Sequence, residues 1–197
     1  MRCASARSPC ASARRRRSSV AAAAVTVEAL DADPKTVRGA LPDLAAVLAD
    51  CVAGGASVGF MEGFGVAEAA LYFKRVFEDV ADGKVVLLAA RQGKKIVGTV
   101  QLGLEMMPNQ PHRAEVKKLL VHRSARGAGI GERLMGDVER FARHHDRTLL
   151  VLDTANATAE RLYSRLGWVR VGVIPDYALL PNGDFCDTTL FFKRIGS

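Results

Sequence analysis

The sequence has 197 residues, of which 49% are hydrophobic and 25% charged, a composition typical of one globular domain and not of a disordered or fibrous chain. No apolar run approaches the roughly 20 residues that a membrane-spanning helix requires, so we expect no membrane partner. The formal net charge is +7, but residues 1–24 hold six arginines and no acidic residue, which leaves the remainder close to neutral. The charge therefore gives no reason to expect that the domain binds nucleic acid.

Residues 1–24 form a segment rich in Arg, Ser and Ala, with four consecutive arginines at 14–17. Acid-free basic segments of this kind resemble organelle transit peptides, and the apolar residues 20–27 offer a secretory alternative. Glu28 ends that apolar run and no clear cleavage site follows. We interpret residues 1–24 as a disordered basic tail before a domain at 25–197. Nucleic-acid binding through the arginines would be a property of this tail alone.

The four cysteines lie at positions 3, 10, 51 and 186. They form no CxxC pair and no cysteine–histidine cluster with the spacing of metal ligands, so we expect no bound metal. A chain of this length can bury a core without disulfide cross-links. We therefore expect reduced thiols and a cytoplasmic location.

The spacing of apolar residues predicts the elements in chain order. The first half contains a strand at Val25–Leu30, a helix from Asp33-Pro34 to residue 52, a glycine-rich loop at 54–65, a helix at Val66–Ala81, and strands at 85–91, 95–104 and Arg113–Val121. The second half contains a helix at 129–145, a buried strand at 149–152, a helix at 157–166, and closing strands at 169–173 and 188–193. The order β-α-α-β-β-β-α-β-α-β-β indicates an α/β domain.

A strand, a loop with three alternate glycines and a helix follow one another at residues 119–131. Such a loop directs consecutive backbone N–H groups into one concavity, and the N-terminus of the helix adds partial positive charge. Gly127, Gly129 and Gly131 let a phosphate approach the backbone, and Arg126 adds a charged donor. The pattern predicts a phosphate-binding loop.

The common nucleotide-binding loops do not fit this spacing. A Walker loop ends in Gly-Lys-Ser/Thr, whereas Gly131 is followed by Glu132 and Arg133. The dinucleotide pattern GxGxxG fails as well, because Glu132 or Leu134 stands where its last glycine belongs. We therefore expect a phosphate ligand of another kind, with an ordinary tight strand-to-helix turn as the alternative.

Arg126, Gly129 and Gly131 match the Arg-x-x-Gly-x-Gly signature of GNAT acetyltransferases, and the segments 156–163 and Gly167-Trp168 resemble a second conserved element of that family. The resemblance covers residues 25–195 and implies the GNAT fold, a mixed, mostly antiparallel central sheet flanked by helices. Segments 54–61, 113–116 and 152–154 further resemble the tabtoxin-resistance acetyltransferases, which acetylate a small amino-acid-like toxin. Arg123 replaces the usual proline of the family, so we expect a less rigid exit from the strand.

The resemblance also implies the residues that bind acetyl-CoA, the co-substrate of the family. The backbone of Leu119, Leu120 and Val121 would bind the pantetheine arm, and one of their N–H groups would polarise the thioester. The pyrophosphate would lie on Arg126, Gly127, Ala128, Gly129, Ile130 and Gly131. Asn156 would contact the arm, although capping the helix that follows is a rival role. Tyr163 corresponds to the tyrosine that protonates the leaving thiolate, with a purely structural role in the core as its alternative.

Two carboxylates are candidates for the general base. Glu115 lies on the strand before the glycine loop, and Asp153 follows the short buried strand. Either side chain could accept the proton of an acceptor ammonium, directly or through water. The alternatives are an exposed ion pair of Glu115 with Lys117 and a turn-capping role for Asp153.

The loop at 54–65 and the segment 176–187 are expected to form the acceptor wall. They hold only four acidic residues beside several apolar ones, and polycationic acceptors usually require an acidic cleft. The sequence therefore favours the primary amine of a small, amino-acid-like acceptor, in a monomer or homodimer that detoxifies a toxin or antibiotic. A polyamine, an aminoglycoside or a protein N-terminus is the alternative acceptor. A non-catalytic acyl-CoA sensor is the alternative function.

Overall fold

A computed structural model describes residues 24–196. Its strands are β1 (Val25–Leu30), β2 (Val85–Gln92), β3 (Lys95–Gly103), β4 (Arg113–Val121), β5 (Leu149–Thr154), β6 (Val169–Leu179) and β7 (Phe185–Arg194). Its helices are α1 (Pro34–Ala53), α2 (Val66–Ala81), α3 (Ile130–His144) and α4 (Ala157–Arg165). The predicted order of elements is confirmed, whereas nearly all of the predicted tail lies outside the described residues.

The seven strands form one sheet in the order β1-β2-β3-β4-β5-β7-β6. The neighbours are antiparallel except for β4 and β5, which run parallel. The predicted mixed, mostly antiparallel sheet is therefore confirmed. In the part of the chain that the structure describes, no helix is both long and apolar enough to cross a membrane.

Helices cover both faces of the sheet and create two cores. One core lies between the sheet and α1 and α2, and Leu48 and Phe73 are fully buried in it. The other lies under α3 and α4 and includes Leu134 and Phe191. The even residues of β2, such as Leu88, face α3, and odd residues such as Leu87 face α1, as strand alternation requires.

The closing hairpin is longer than the sequence predicts. The predicted strands at 169–173 and 188–193 extend to residues 179 and 185, so both ends of the segment 176–187 lie in strands. The pairing is irregular between Ile174 and Ala178, and Asp176 adopts a φ of 50° there. Pro175 and this irregularity interrupt the alternation on which the prediction depended.

Candidate active site at the separation of two parallel strands

The only parallel strands among residues 24–196, β4 and β5, pair over a short distance and then separate. Their paired residues are Arg113 with Leu149, Ala114 with Leu150, and Glu115 with Val151. Beyond Glu115, β4 continues for six residues to Val121 without a partner on that side. β5 likewise continues to Thr154 paired only with β7, and we call the space between the unpaired edges of β4 and β5 the cleft. Open α/β sheets bind ligands at the carboxyl ends of such strands.

A β-bulge lies in β4 at the mouth of this cleft. Gln101 of β3 pairs with Lys117 while Thr99 pairs with Leu120, so β4 carries one residue more than its partner. Lys118 takes up the irregularity with a φ of 54°. As a result Val116 packs in the core under α3, whereas Leu120 packs under α1. In an unbroken strand two residues four apart would face the same side.

The bulge also decides which backbone groups face the cleft. The N–H of His122 donates to the carbonyl of Val97 on β3 at 2.9 Å, and Leu120 pairs with Thr99 on that strand. Alternate residues of a strand direct their N–H and C=O groups to opposite neighbours. The backbone groups of Leu119 and Val121 therefore point away from β3, toward the cleft, and those of Leu120 do not.

The glycine loop joins the end of β4 to the N-terminus of α3. Gly127 and Gly129 have φ values of 80° and 72°, which L-residues with side chains rarely adopt. A Cβ atom at either position would lie in open space, so the loop presents bare backbone to solvent. The first four N–H groups of a helix have no partner within it, and α3 directs them at this loop. The arrangement suits an anionic ligand such as a diphosphate.

Gly131 has a second role, which is packing. A Cβ atom there would lie 3.2 Å from Cδ2 of Leu162 on α4, closer than most contacts of real side chains. Gly98 of β3 plays a similar role beneath α3, because its Cβ would lie 3.0 Å from Cγ2 of Ile130. These two glycines let α3 approach its neighbours. The sequence analysis did not identify Gly98, whose partners are distant in the chain.

The start of the loop is fixed to α1 by Asp50. Its carboxylate accepts from the backbone N–H of Arg123 at 2.7 Å and from Nε of the same residue at 2.9 Å. Partial burial of Asp50 raises its pKa, but the two bonds from Arg123, together with the charges of His122 and Arg123, outweigh burial, and the net pKa is lowered. A proline could not donate the backbone bond. Arg123 therefore anchors the exit from the strand, so the expectation that it loosens this exit was wrong.

Arg126 lies next to this anchor. Its Nε donates to the carbonyl of Val121 at 3.1 Å, and its guanidinium contacts Sγ of Cys51 at 3.8 Å. The side chain is exposed, so its remaining donors face solvent beside the loop. A ligand phosphate at the N-terminus of α3 would meet a positive charge here.

The two candidate bases lie on one face of the sheet. Glu115 points opposite to Ala114 and Val116, which pack under α3, and Asp153 points opposite to the buried Leu152. Glu115 is half-buried, and Asp153 is exposed with Oδ2 accepting from the Thr188 hydroxyl at 2.8 Å. Both lie beside the point where β4 and β5 separate.

Lys118 is the site residue that the sequence analysis missed. Burial lowers the pKa of its ammonium, Lys117 lowers it further, and the carboxylates of Asp153 and Glu115 oppose this shift. The three charges are therefore close enough to influence one another. The available signal was the pair Lys117-Lys118, since the regular alternation of β4 would place Lys118 on the buried face with Val116.

Tyr163 lies under the same cleft. It is 5% exposed, and its ring packs against Trp168 and Phe191 at centroid distances of 5.9 and 5.7 Å. Burial raises the pKa of its hydroxyl well above the usual value, and the negative charge of Asp153 raises it further. The hydroxyl therefore keeps its proton throughout the neutral range and lies within electrostatic reach of Asp153. Its packing also makes it a core residue.

Asn156 acts as a helix cap. Its Oδ1 accepts from the backbone N–H groups of Thr158 at 2.8 Å and Ala159 at 3.2 Å, at the start of α4. Of the two roles expected from the sequence, the structure displays the cap. By fixing the start of α4, Asn156 also fixes the helix that carries Tyr163.

The two segments expected to form the acceptor wall lie against each other. The hydroxyl of Ser57 donates to the carbonyl of Leu179 at 3.1 Å, and the N–H of Glu62 donates to the carbonyl of Pro181 at 2.9 Å. In the loop at 54–65 the rings of Phe60 and Phe64 stack at 4.0 Å. The wall is thus an aromatic loop attached to the β6–β7 hairpin.

Within residues 24–196, no group of three or more His, Cys, Asp or Glu side chains could hold a metal ion. His122 caps the short turn after β4 by accepting from the N–H of Ser124, while His144 and His145 end α3. The thiols of Cys51 and Cys186 are both free.

The sequence pattern of the acetyltransferase (GNAT) family matches residues 51–168, which include β4, the glycine loop and α4. Among solved structures, the chain is similar to the ribosomal-protein-alanine N-acetyltransferase from Brucella melitensis, at 20% identity and a TM-score of 0.71, over 86% of this chain and 99% of that one. It is also similar to a candidate acetyltransferase from Salmonella typhimurium solved with its cofactor acetyl-CoA, at 15% identity and a TM-score of 0.70, over 88% and 95% of the two chains. The chain belongs to the GNAT family of acetyltransferases.

Proposed function

We propose that this acetyltransferase moves the acetyl group of acetyl-CoA to the primary amine of a small, amino-acid-like acceptor. The observation that carries the proposal is that Glu115 and Asp153 lie beside the separation of β4 and β5, and that the charge of Asp153 influences the buried hydroxyl of Tyr163. Glu115 and Asp153 would serve the acceptor, and Tyr163 would serve the leaving thiolate. The retention of all three groups argues against a non-catalytic acyl-CoA sensor.

The residues present fit acetyl-CoA. The open backbone at Gly127 and Gly129 and the N-terminus of α3 suit its diphosphate, and Arg126 adds a charge beside them. The cleft-facing backbone groups of Leu119 and Val121 would bond the amides of the pantetheine arm. Leu120 is paired with β3, so we assign it no contact with the arm. The expected contact of Asn156 with the arm stays a prediction beside its positioning role, because the cap engages only its Oδ1.

The residues of the site would act in a defined order. Glu115 or Asp153 accepts a proton from the acceptor ammonium, so that the neutral nitrogen can attack the thioester carbonyl carbon. A carbon–nitrogen bond forms, the nitrogen releases its second proton to solvent, and the carbon–sulfur bond breaks, which leaves a thiolate. Tyr163 donates its proton to that sulfur and regains one from solvent. The raised pKa keeps the tyrosine protonated beforehand but also makes it a weaker acid, so we expect only modest general-acid assistance from it.

The acceptor wall favours a compact molecule. The stacked Phe60 and Phe64 and the edge of Tyr72, whose ring centroid lies 5.3 Å from that of Phe60, restrict the space beside Lys118. A cation at this position also disfavours a polyamine or aminoglycoside, which would bring further positive charge. The resemblance to the tabtoxin-resistance enzymes supports an amino-acid-like toxin as acceptor, and hence a detoxifying role.

The proposal is tested by measuring CoA release from acetyl-CoA with a panel of acceptors. The panel holds α-amino acids, β-lactam amino-acid analogues, spermidine, an aminoglycoside and a peptide with N-terminal alanine, and mass spectrometry identifies each product. We expect the highest kcat/KM with an amino acid or its analogue. A preference for spermidine, the aminoglycoside or the peptide would refute the acceptor class, and thiol release without an acetylated amine would refute the reaction.

A further inference from the structure

The ammonium of Lys118 lies inside the proposed acceptor site. It is 5.8 Å from the ring centroid of Phe60, and a Cβ atom on Gly59 would lie 3.7 Å from it. The side chain is half-buried between the aromatic loop and the bulged strand. Because Lys118 is half-buried and lies at the bulge, the fold fixes the position of its side chain.

The fold provides no close counter-ion for this charge. The ion pairs formed within residues 24–196 do not include Lys118. Glu115 and Asp153 influence it from a greater distance, and the contact that the structure does give it is the face of Phe60. A partly buried charge is unfavourable unless it is paired. An anion that enters the site could therefore form an ion pair with the ammonium of Lys118.

The backbone around Lys118 supports a functional role. Its φ of 54° lies in the left-handed region, which a lysine adopts at a cost in free energy. Such strain in folded proteins concentrates at ligand-binding positions. Without the bulge Lys118 would point into the core with Val116, so the strained conformation is what delivers the ammonium to the acceptor side.

We propose that Lys118 binds the carboxylate of the acceptor and thereby selects amines that also carry an anionic group. This inference rests on the proposed function and names the recognition element of the same site. The acceptor would lie with its ammonium toward Glu115 and Asp153 and its carboxylate toward Lys118. A zwitterion matches this separation of charges, whereas a polyamine would place a cation against Lys118.

The test compares each α-amino acid with its own carboxamide as acceptor. CoA release gives kcat/KM for both members of a pair, and the ratio is measured in the wild type, in Lys118→Met and in Lys118→Arg. Comparing the ratio between proteins cancels the intrinsic reactivity of each amine. Lys117→Met is the matched control, because it removes the same charge from the adjacent, exposed position.

We expect the wild type to prefer the carboxylate, and Lys118→Met to reduce this preference by about tenfold to a hundredfold, the usual loss for a hydrogen bond to a charged group. The loss should come mainly from a higher KM for the amino acid. Lys118→Arg should retain most of the preference, and Lys117→Met nearly all of it. If Lys118→Met melts early, Lys118→Gly tests the same loss without strain at that φ.

The outcomes separate the two proposals. If wild type and Lys118→Met acetylate amino acids with the same preference over their carboxamides, the role of Lys118 is overturned. The proposed class of acceptor would still stand. If Lys118→Met and Lys117→Met lose this preference equally, the role of Lys118 is also overturned. The positive charge of either lysine would then explain the preference without direct contact. Failure of the wild type to acetylate any amino acid would overturn both proposals.

Discussion

Replacing Tyr163 with phenylalanine removes one hydroxyl from the site and keeps the ring that packs between Trp168 and Phe191. The variant therefore separates the proposed catalytic role of this residue from its structural one. A thiol has a pKa near ~8.5, so its thiolate is a tolerable leaving group, and general-acid help should lie toward the low end of the usual ~10²–10⁴-fold. We expect kcat to fall at least about tenfold, which corresponds to ~1.4 kcal/mol of barrier.

The raised pKa of Tyr163 adds a dependence on pH. The hydroxyl holds its proton more tightly in the folded protein than in the unfolded chain, so its contribution to stability is complete below the usual tyrosine pKa of about 10. That contribution is lost as the pH rises toward the pKa of the folded state. The wild type should therefore lose stability above about pH 10, and Tyr163→Phe should lose less.

The matched control is Tyr72→Phe. Tyr72 also has a partly buried hydroxyl, but it lies on α2 and bonds the buried side chain of Gln101. That variant should lose about 1–3 kcal/mol of stability, because the buried side chain of Gln101 loses its partner. It should keep most of its kcat, because the ring that borders the acceptor wall remains. Steady-state CoA release and thermal melts measure both quantities. An intact kcat with a lower melting temperature in Tyr163→Phe would show that the tyrosine is only a core residue.

The remaining predictions concern the bases, the loop and the support of α3. Glu115→Gln should lower kcat/KM most at low pH, where the acceptor most needs a base, and unchanged pH profiles in both Glu115→Gln and Asp153→Asn would exclude these carboxylates. Gly129→Asn, which tolerates the left-handed φ of 72°, should still weaken acetyl-CoA binding in calorimetry, because its side chain enters the phosphate loop. An affinity for acetyl-CoA equal to that of the wild type would contradict the assignment of the glycine loop to the diphosphate. Gly98→Ala should destabilise the fold by about 1–3 kcal/mol through contact with Ile130, seen as a lower melting temperature.

Local patterns allowed the sequence to predict most elements. The bounds of α2 and β4 agree with the structure to the residue, and the glycine loop lies at the N-terminus of α3 as predicted. Gly65 and Gly83 flank α2, and the prolines at 108 and 111 precede β4. The cap formed by Asn156 was predicted for the same reason, since its partners lie within three residues.

The sequence could not predict features that depend on contacts between distant segments. The bulge at Lys118 depends on the register of β4 against β3, and the anchor of Arg123 depends on Asp50, which lies 73 residues earlier. The need for glycine at position 98 arises only when α3 packs on β3. The periodicity of a single sequence carries no information on the register between two strands or on how closely a helix packs on a strand. The acceptor site is therefore the part that required the structure.

A crystal structure of the protein with acetyl-CoA would test the central claim most directly. We predict that the diphosphate contacts the backbone N–H groups of residues 127–131, that the pantetheine arm bonds Leu119 and Val121 in the cleft, and that the thioester lies between Glu115 and Tyr163. Acetyl-CoA bound away from the glycine loop, or with its thioester outside the separation of β4 and β5, would contradict the proposed site.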